Sequence, residues 1–200
     1  GLLTTAAYNM GTGYMTQAIP TIGGQIARTI DNTRRTTYTD KEGVAGVLDK
    51  QTKKLMNKIP GLSMLNEPYV DTYGREQANG PSDNPLLNLG YQMFSPGYYS
   101  EVNTTPADEI SRQIYDYNQT EAVLPQWQSS IKMDGEKVSP EDYYTGSKAA
   151  GEAQYSIRNA LAENEWFNSQ DPERQEAIIR EVNTIAGHVG KGAINPEYTV

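Results

Sequence analysis

Of the residue types that do chemistry, this chain carries many carboxylates and little else: 25 Asp and Glu, a single histidine at His188, and no cysteine. Glycoside hydrolysis needs only two acids at a set separation, and Glu163 with Glu165 or Asp71 with Glu76 are the best-spaced pairs. Neither pair has the apolar surroundings in sequence that would raise a general acid's pKa, so neither is assigned a catalytic role. His188 has no HExxH-like neighbour, and without a thiolate it seeds no zinc site; it reads as a surface or capping residue. Gly11-Thr12-Gly13 lacks the Lys-Ser/Thr of a phosphate loop and the third glycine of a dinucleotide fingerprint, and no Gly-x-Ser-x-Gly elbow occurs. The expectation is a protein that is not an enzyme, with no catalytic, metal or cofactor-binding residues and no cofactor.

Elements that would have to position any site come in three stretches. Residues 1–27 carry no charge and are rich in Gly, Ala and Thr, the residues that let helices approach closely. That composition reads either as a segment docked on a protein surface or as a membrane-contacting one, and Asn9, Gln17 and Gln25 favour the first because they need polar partners. No run of about 18 apolar residues is present to span a membrane. Pro20 followed by Ile22, Ile26 and Ile30 predicts a short helix over 20–31. A second helix is expected over 43–58, with Val44, Val47, Leu48, Leu55 and Met56 on one face and Lys50, Lys53, Lys54 and Lys58 toward its end, where cations suit the helix dipole.

The stretch 59–105 is broken by Pro60, Pro68, Pro81, Pro85 and Pro96, and by repeated Gly and Asn. Proline removes a backbone donor and glycine supplies turns, so an extended irregular segment held by a neighbouring surface is expected. Fourteen tyrosines against two Phe and two Trp point the same way, since a tyrosine ring suits interfaces and shallow cores. Candidate interface residues are Arg34, Arg35, Tyr38, Ile59, Leu62, Tyr69, Val70, Tyr73, Arg75, Tyr98 and Tyr99.

From Thr105 the pattern becomes helical. Pro106 near a first turn, then Asp108, Glu109, Ile110, Ile114 and Tyr117, predict a helix over 106–119. Asp134-Gly135 between short alternating runs predicts a tight hairpin near 131–138. Ser139-Pro140 opens a helix to about Glu163, with Tyr143, Ser147, Ala150, Gln154, Ile157 and Leu161 on one face. Asp171-Pro172 opens the last helix, its stripe Ile178, Val182, Ile185 and Val189, with Gly187, Gly190 and Gly192 weakening its end. Trp166 and Phe167 are expected to seal the turn between these two antiparallel helices. The fold class expected is mainly α with long irregular Pro/Gly-rich segments and one short β-hairpin, extended and assembly-dependent. Its three parts are 1–58, 59–105 and a helical 106–200.

Net charge is −8 but unevenly placed: residues 28–58 hold eight Lys or Arg against four acids, and residues 59–200 hold nine against twenty-one. An acidic body repels the phosphate backbone and argues against sequence-specific nucleic-acid binding, while opposite charges along one chain suit contact between copies.

The run Lys58-Ile-Pro-Gly-Leu through Pro68-Tyr-Val-Asp-Thr-Tyr-Gly-Arg75, with Gln25 to Tyr38 upstream and Asp134-Gly135…Ser139-Pro-Glu-Asp-Tyr-Tyr144 downstream, resembles the large polyvalent protein-associated domain of phage and prophage proteins. It is also similar to the C-terminal parts of phage tape measure and internal virion proteins. The likeness spans about residues 20–187 and brings no catalytic residue with it. It implies a structural virion protein inside a phage tail or at its tip, contacting other tail proteins and copies of itself. Two alternatives stay open: an internal ejection protein of a short-tailed phage, whose residues 1–27 meet the host membrane, and a peptidoglycan hydrolase fragment.

Overall fold

The computed structural model describes residues 31–59, 61–79, 105–118 and 131–198, with side chains of 114–118 outside that description. The expected helix over 20–31, residues 1–27 and most of 80–105 fall outside it. The described chain is mainly helical with one short antiparallel hairpin. It divides into two compact units that interleave in sequence. The described residues of the first are 31–59, 61–69, 76–79 and 132–141, and those of the second are 70–75, 105–118, 131 and 142–198.

In the first unit, residues 32–36 run extended and pair with two stretches of chain, 67–69 and 77–79. Arg34 N donates to Gln77 O at 2.7 Å and Thr36 N to Glu67 O at 2.9 Å, while Tyr69 N donates to Arg34 O at 2.8 Å. Antiparallel bridges form at Thr33–Ala78 and Arg35–Pro68, and proline fits the second because its missing N–H is not called on there. Thus the described part of the proline-broken segment is held by its own chain.

Helix α1 (Gly43–Met56) ends in the basic turn that the dipole favours. Its apolar face is only partly covered: Gly46 alone is fully buried and Val44 is exposed. Strands β1 (Lys132–Met133) and β2 (Glu136–Lys137) pair in the register Met133–Glu136. Asp134 and Gly135 take φ of 53° and 85°, the two positive angles of the turn that matches strand twist.

In the second unit the starts of three helices are built from local signals. Thr105 and Asp108 cap α2 (Pro106–Asn118) reciprocally, with Thr105 N to Asp108 Oδ2 at 2.9 Å and Asp108 N to Thr105 Oγ1 at 3.3 Å. Helix α3 runs Pro140–Ala162. Asn164 accepts from Phe167 N to start the short α4 (Glu165–Asn168). Asp171 accepts from Arg174 N, ahead of Pro172, to start α5 (Pro172–Ile194). Ile110, Phe167 and Ile179 form the apolar core, with Leu161, Ala162 and Ile178 against it.

Three expectations about this unit change. The buried stripe of α5 is Ile179, Val182, Asn183, Ala186 and Gly190, turned away from the expected one, so that Ile185 and Val189 face outward. Asn183 on that face meets Gln154 and Arg158 of α3, so a polar contact is buried where an apolar stripe was expected. Phe167 is buried but Trp166 is 56% exposed, so one ring alone closes the corner. Finally, α5 runs through its three glycines to Ile194.

Candidate functional site

Asp71 organises the residues that follow it. Its Oδ1 accepts from Tyr73 N at 2.9 Å and Arg75 N at 3.0 Å, and its Oδ2 accepts from Arg75 Nε at 2.8 Å. The backbone closes the same loop, Asp71 N donating to Arg75 O at 2.9 Å and Gly74 N to Asp71 O at 3.1 Å. Gly74 takes φ of +72°, which a Cβ would resist. One carboxylate therefore preforms the whole Asp-Thr-Tyr-Gly-Arg turn.

The turn seats in a groove of the second unit formed on α2 and α3. A Cβ built on Gly151 would lie 2.6 Å from Gly74 Cα and 2.6 Å from Tyr73 C, so backbone rests on backbone there. Tyr73, 4% exposed, meets Tyr155 at a ring separation of 5.4 Å. Its hydroxyl donates to Ala107 O at 3.0 Å and lies 2.8 Å from Ser111 Oγ, so the buried oxygen keeps its hydrogen bonds. Arg75 passes over both rings, 5.2 Å from Tyr73 and 5.8 Å from Tyr155. The Gln154 amide, in the orientation that satisfies both its ends, faces Thr72 O at 3.2 Å.

Beneath the turn lies Arg158, with no exposed surface, donating to Ser111 Oγ at 2.5 Å and Asn183 Oδ1 at 2.8 Å. Burial pulls its pKa down from the ordinary arginine value, and Tyr73 and Asp108 oppose that pull. Gln154 meets Asn183 across the same space, so α3 and α5 are joined by a polar cluster as well as by apolar contact.

The first unit has its own polar centre. Asp31 is buried and binds Arg35 through Nε at 2.8 Å and Nη2 at 3.1 Å, and takes a third hydrogen bond from Ser63 Oγ at 2.7 Å. Burial alone would raise the Asp31 carboxyl, but the Arg35 and Ser63 hydrogen bonds outweigh it and hold it below the ordinary carboxylate range. Asn66 and Asn79 tie neighbouring strands to this centre, Asn66 Nδ2 to Asn57 Oδ1 at 2.7 Å and Asn79 Nδ2 to Thr33 O at 2.9 Å.

The consequence is a rigid outward knuckle. Ser63 and Asn66 are buried and anchored, while Leu62 (40% exposed), Met64 (51%) and Leu65 (70%) on the same 3-10 turn (Ser63–Leu65) face solvent. Tyr69 also lies at the surface, with the Arg34 guanidinium stacked 4.3 Å from its ring centre.

Among the expected contact residues, then, Leu62, Tyr69 and Arg75 are presented outward, and Arg34, Ile59 and Val70 are half-buried. Arg35 is committed to Asp31 and Asn66 O. Tyr38 and Tyr73 are turned inward, because each hydroxyl finds a backbone carbonyl of its own unit, Val138 O at 2.9 Å for Tyr38. Tyr98 and Tyr99 lie outside the described residues. Met64 and Leu65 belong with the presented set and were not singled out by sequence; their apolar character inside a turn with Pro60 and Gly61 was the available signal.

Of the acids weighed as pairs, Asp71 is occupied by its turn, and Glu163 and Glu165 are exposed. His188 is exposed on α5. Among the described residues no cluster of metal-ligating side chains occurs, and no helix is long and apolar enough to cross a membrane. Comparison of the chain with protein-family models, with curated proteins and with solved structures finds no match to any of the three.

Proposed function

We propose that this chain is a structural phage virion protein, a tail tape measure or tail-tip internal component, acting through protein–protein contact in a multimeric tail and not as an enzyme. The observation that carries the reading is the knuckle Leu62, Met64 and Leu65. Three large apolar side chains face water on a turn whose intervening residue, Ser63, is hydrogen-bonded to the buried Asp31 carboxylate. A protein acting alone gains nothing from rigidly exposing them, whereas a partner gains apolar area without ordering the segment. The sequence likeness to phage virion proteins supplies the setting, the tail interior or tip. In that setting the fold is extended and completed by neighbours, other tail proteins and further copies of the chain.

The test is a Leu65→Asp, Met64→Ser double variant expressed in the phage that encodes the chain. The isolated variant should melt within about 2 °C of wild type, since exposed substitutions are nearly neutral. Mass spectrometry of purified particles should find the wild-type chain in tails and the variant strongly depleted. A wild-type chain missing from purified particles, or a variant incorporated normally, would overturn the proposal.

A further inference from the structure

We propose that the occupant of the Leu62–Leu65 knuckle is a neighbouring tail protein that presents an apolar recess edged by carboxylates, and that Lys50 and Lys54 supply the matching charge. The inference rests on the virion reading and names the chemistry of the partner at that site.

The knuckle is fastened to the basic end of α1. Asn66, which closes it, donates from Nδ2 to Lys53 O at 3.3 Å and to Asn57 Oδ1 at 2.7 Å. Backbone hydrogen bonds carry the chain from helix to turn, Ile59 N to Met56 O at 3.0 Å, Leu62 N to Ile59 O at 3.1 Å and Leu65 N to Leu62 O at 3.1 Å. Lys50, Lys54 and Asn57 are spaced by four and three residues and so share one helix face, which runs into the knuckle at Asn57. Lys50 and Lys54 are exposed on it, whereas Lys53 is turned onto Tyr38 O and Asp49.

The charge around the knuckle opposes that of the chain. Residues 50–66 hold four lysines and no acid, in a sequence with 25 acids against 17 Lys and Arg. Of the acids that bound this stretch, Asp49 binds Lys41 and Lys53, and Glu67 is half-buried. A partner therefore meets three large apolar side chains beside two outward cations. Covering the first takes a recess, and answering the second takes carboxylates at its edge, the division between apolar centre and charged rim that protein interfaces show.

The fixed spacing of Leu62, Met64 and Leu65 rewards a rigid recess of matching shape more than a fluid bilayer. Another copy of the chain offers a poorer match. Among the described residues, the exposed large apolar side chains of the second unit are Trp166, Ile185 and Val189, which project from α4 and α5.

The test treats purified particles with a zero-length carbodiimide, which joins a lysine to a carboxylate already in contact with it, and maps the products by mass spectrometry. Lys50 or Lys54 should be joined to Asp or Glu of another tail protein. A Lys50→Gln, Lys54→Gln double variant should melt within about 2 °C of wild type and reach particles about fivefold less often. Lys50→Arg with Lys54→Arg should restore incorporation to within about twofold, because the charge is kept. Should the Gln pair melt lower, the cross-links of the wild type decide. Wild-type chain in particles without such cross-links, or with cross-links to its own copies alone, would overturn this proposal and leave the virion reading standing. A wild-type chain absent from particles removes both. Flotation of the purified chain with mixed phosphatidylcholine and phosphatidylglycerol vesicles, abolished by Leu65→Asp with Met64→Ser, would also overturn it, since the knuckle then enters a bilayer.

Discussion

Replacing Gly151 by alanine should destabilise the protein, although the general rule for a glycine inside a helix points the other way. On propensity alone, Gly→Ala in a helix interior gains about 0.5–1 kcal/mol. Here the new methyl would sit 2.6 Å from Gly74 Cα and 2.6 Å from Tyr73 C, and both neighbours are main chain that no side-chain rotation can move. Gly74 N lies nearer still, and restoring ordinary contact requires the turn to shift outward by about 1.5 Å, at an overpacking cost of about 1–3 kcal/mol. If the turn leaves instead, burial of the Tyr73 ring is lost, about 3–5 kcal/mol by analogy with aromatic truncation in cores. The cheaper response sets the outcome, so after the propensity gain the net loss should be about 1–2 kcal/mol, read as a fall of about 0.5–1 M in the urea midpoint at a slope of about 2 kcal/mol/M. A double-mutant cycle with Tyr73→Ala then isolates the cause. Once the ring no longer anchors the turn, the alanine has little left to displace, and the two losses should fall short of additivity by about 1–2 kcal/mol. A neutral or stabilising Gly151→Ala, or losses that add within about 0.5 kcal/mol, would show that the close approach of turn and helix does not exist in solution.

Asp31→Asn should cost about 3 kcal/mol, since it strands the Arg35 guanidinium in a partly buried site. Because the folded-state pKa of Asp31 is depressed, its contribution is present above the unfolded value and lost as pH falls through the folded one. Stability of the wild type should thus drop on acidification below about pH 4 more steeply than that of Asp31→Asn, measured by urea titrations across pH. Arg158→Ala should cost about 3–5 kcal/mol by leaving Ser111 and Asn183 facing a cavity, and thermal melts should report it as one of the least stable single variants. Gly135→Val should cost about 1–2 kcal/mol, because φ of +85° is strained for a β-branched residue; Gly135→Asn, which tolerates positive φ, should recover most of it in the same melts.

Helix starts and the hairpin were legible because their signals are local. Thr105-Pro106-Ala-Asp108, Asp171-Pro172 and Asp134-Gly135 each satisfy their own backbone within a few residues, so the chain around them hardly matters. Periodicity also placed Ser147, Ala150 and Gln154 on the buried face of α3. It misjudged α5 because a hydrophobic pattern finds greasy stripes, whereas the face that α5 buries is partly small and polar. Asn183 and Gly190 are buried there, and Ile185 and Val189 are left out. The same bias assigned Tyr38 and Tyr73 to outside partners. Their rings did need cover and their hydroxyls did need acceptors, but both are supplied by residues 100 and 34 positions away, which no local window contains.

The polar centres explain how a chain with so few large apolar residues is held together. With 36% hydrophobic residues and two phenylalanines, apolar burial alone gives a thin core. Among the described residues each unit has an arginine held by acceptors, the partly buried Arg35 on buried Asp31 and the buried Arg158 on Ser111 and Asn183. Such a centre is a weak source of net stability, because desolvating the charge offsets most of what its partners return. It is a strong source of specificity, because any register that misplaces one partner leaves a charge buried without its acceptors. Geometry is therefore enforced by the penalty on alternatives more than by the depth of the native well. The Leu62–Leu65 turn follows the same rule: Ser63 is set by its hydrogen bond to Asp31, and that one polar contact decides that Leu62, Met64 and Leu65 face outward.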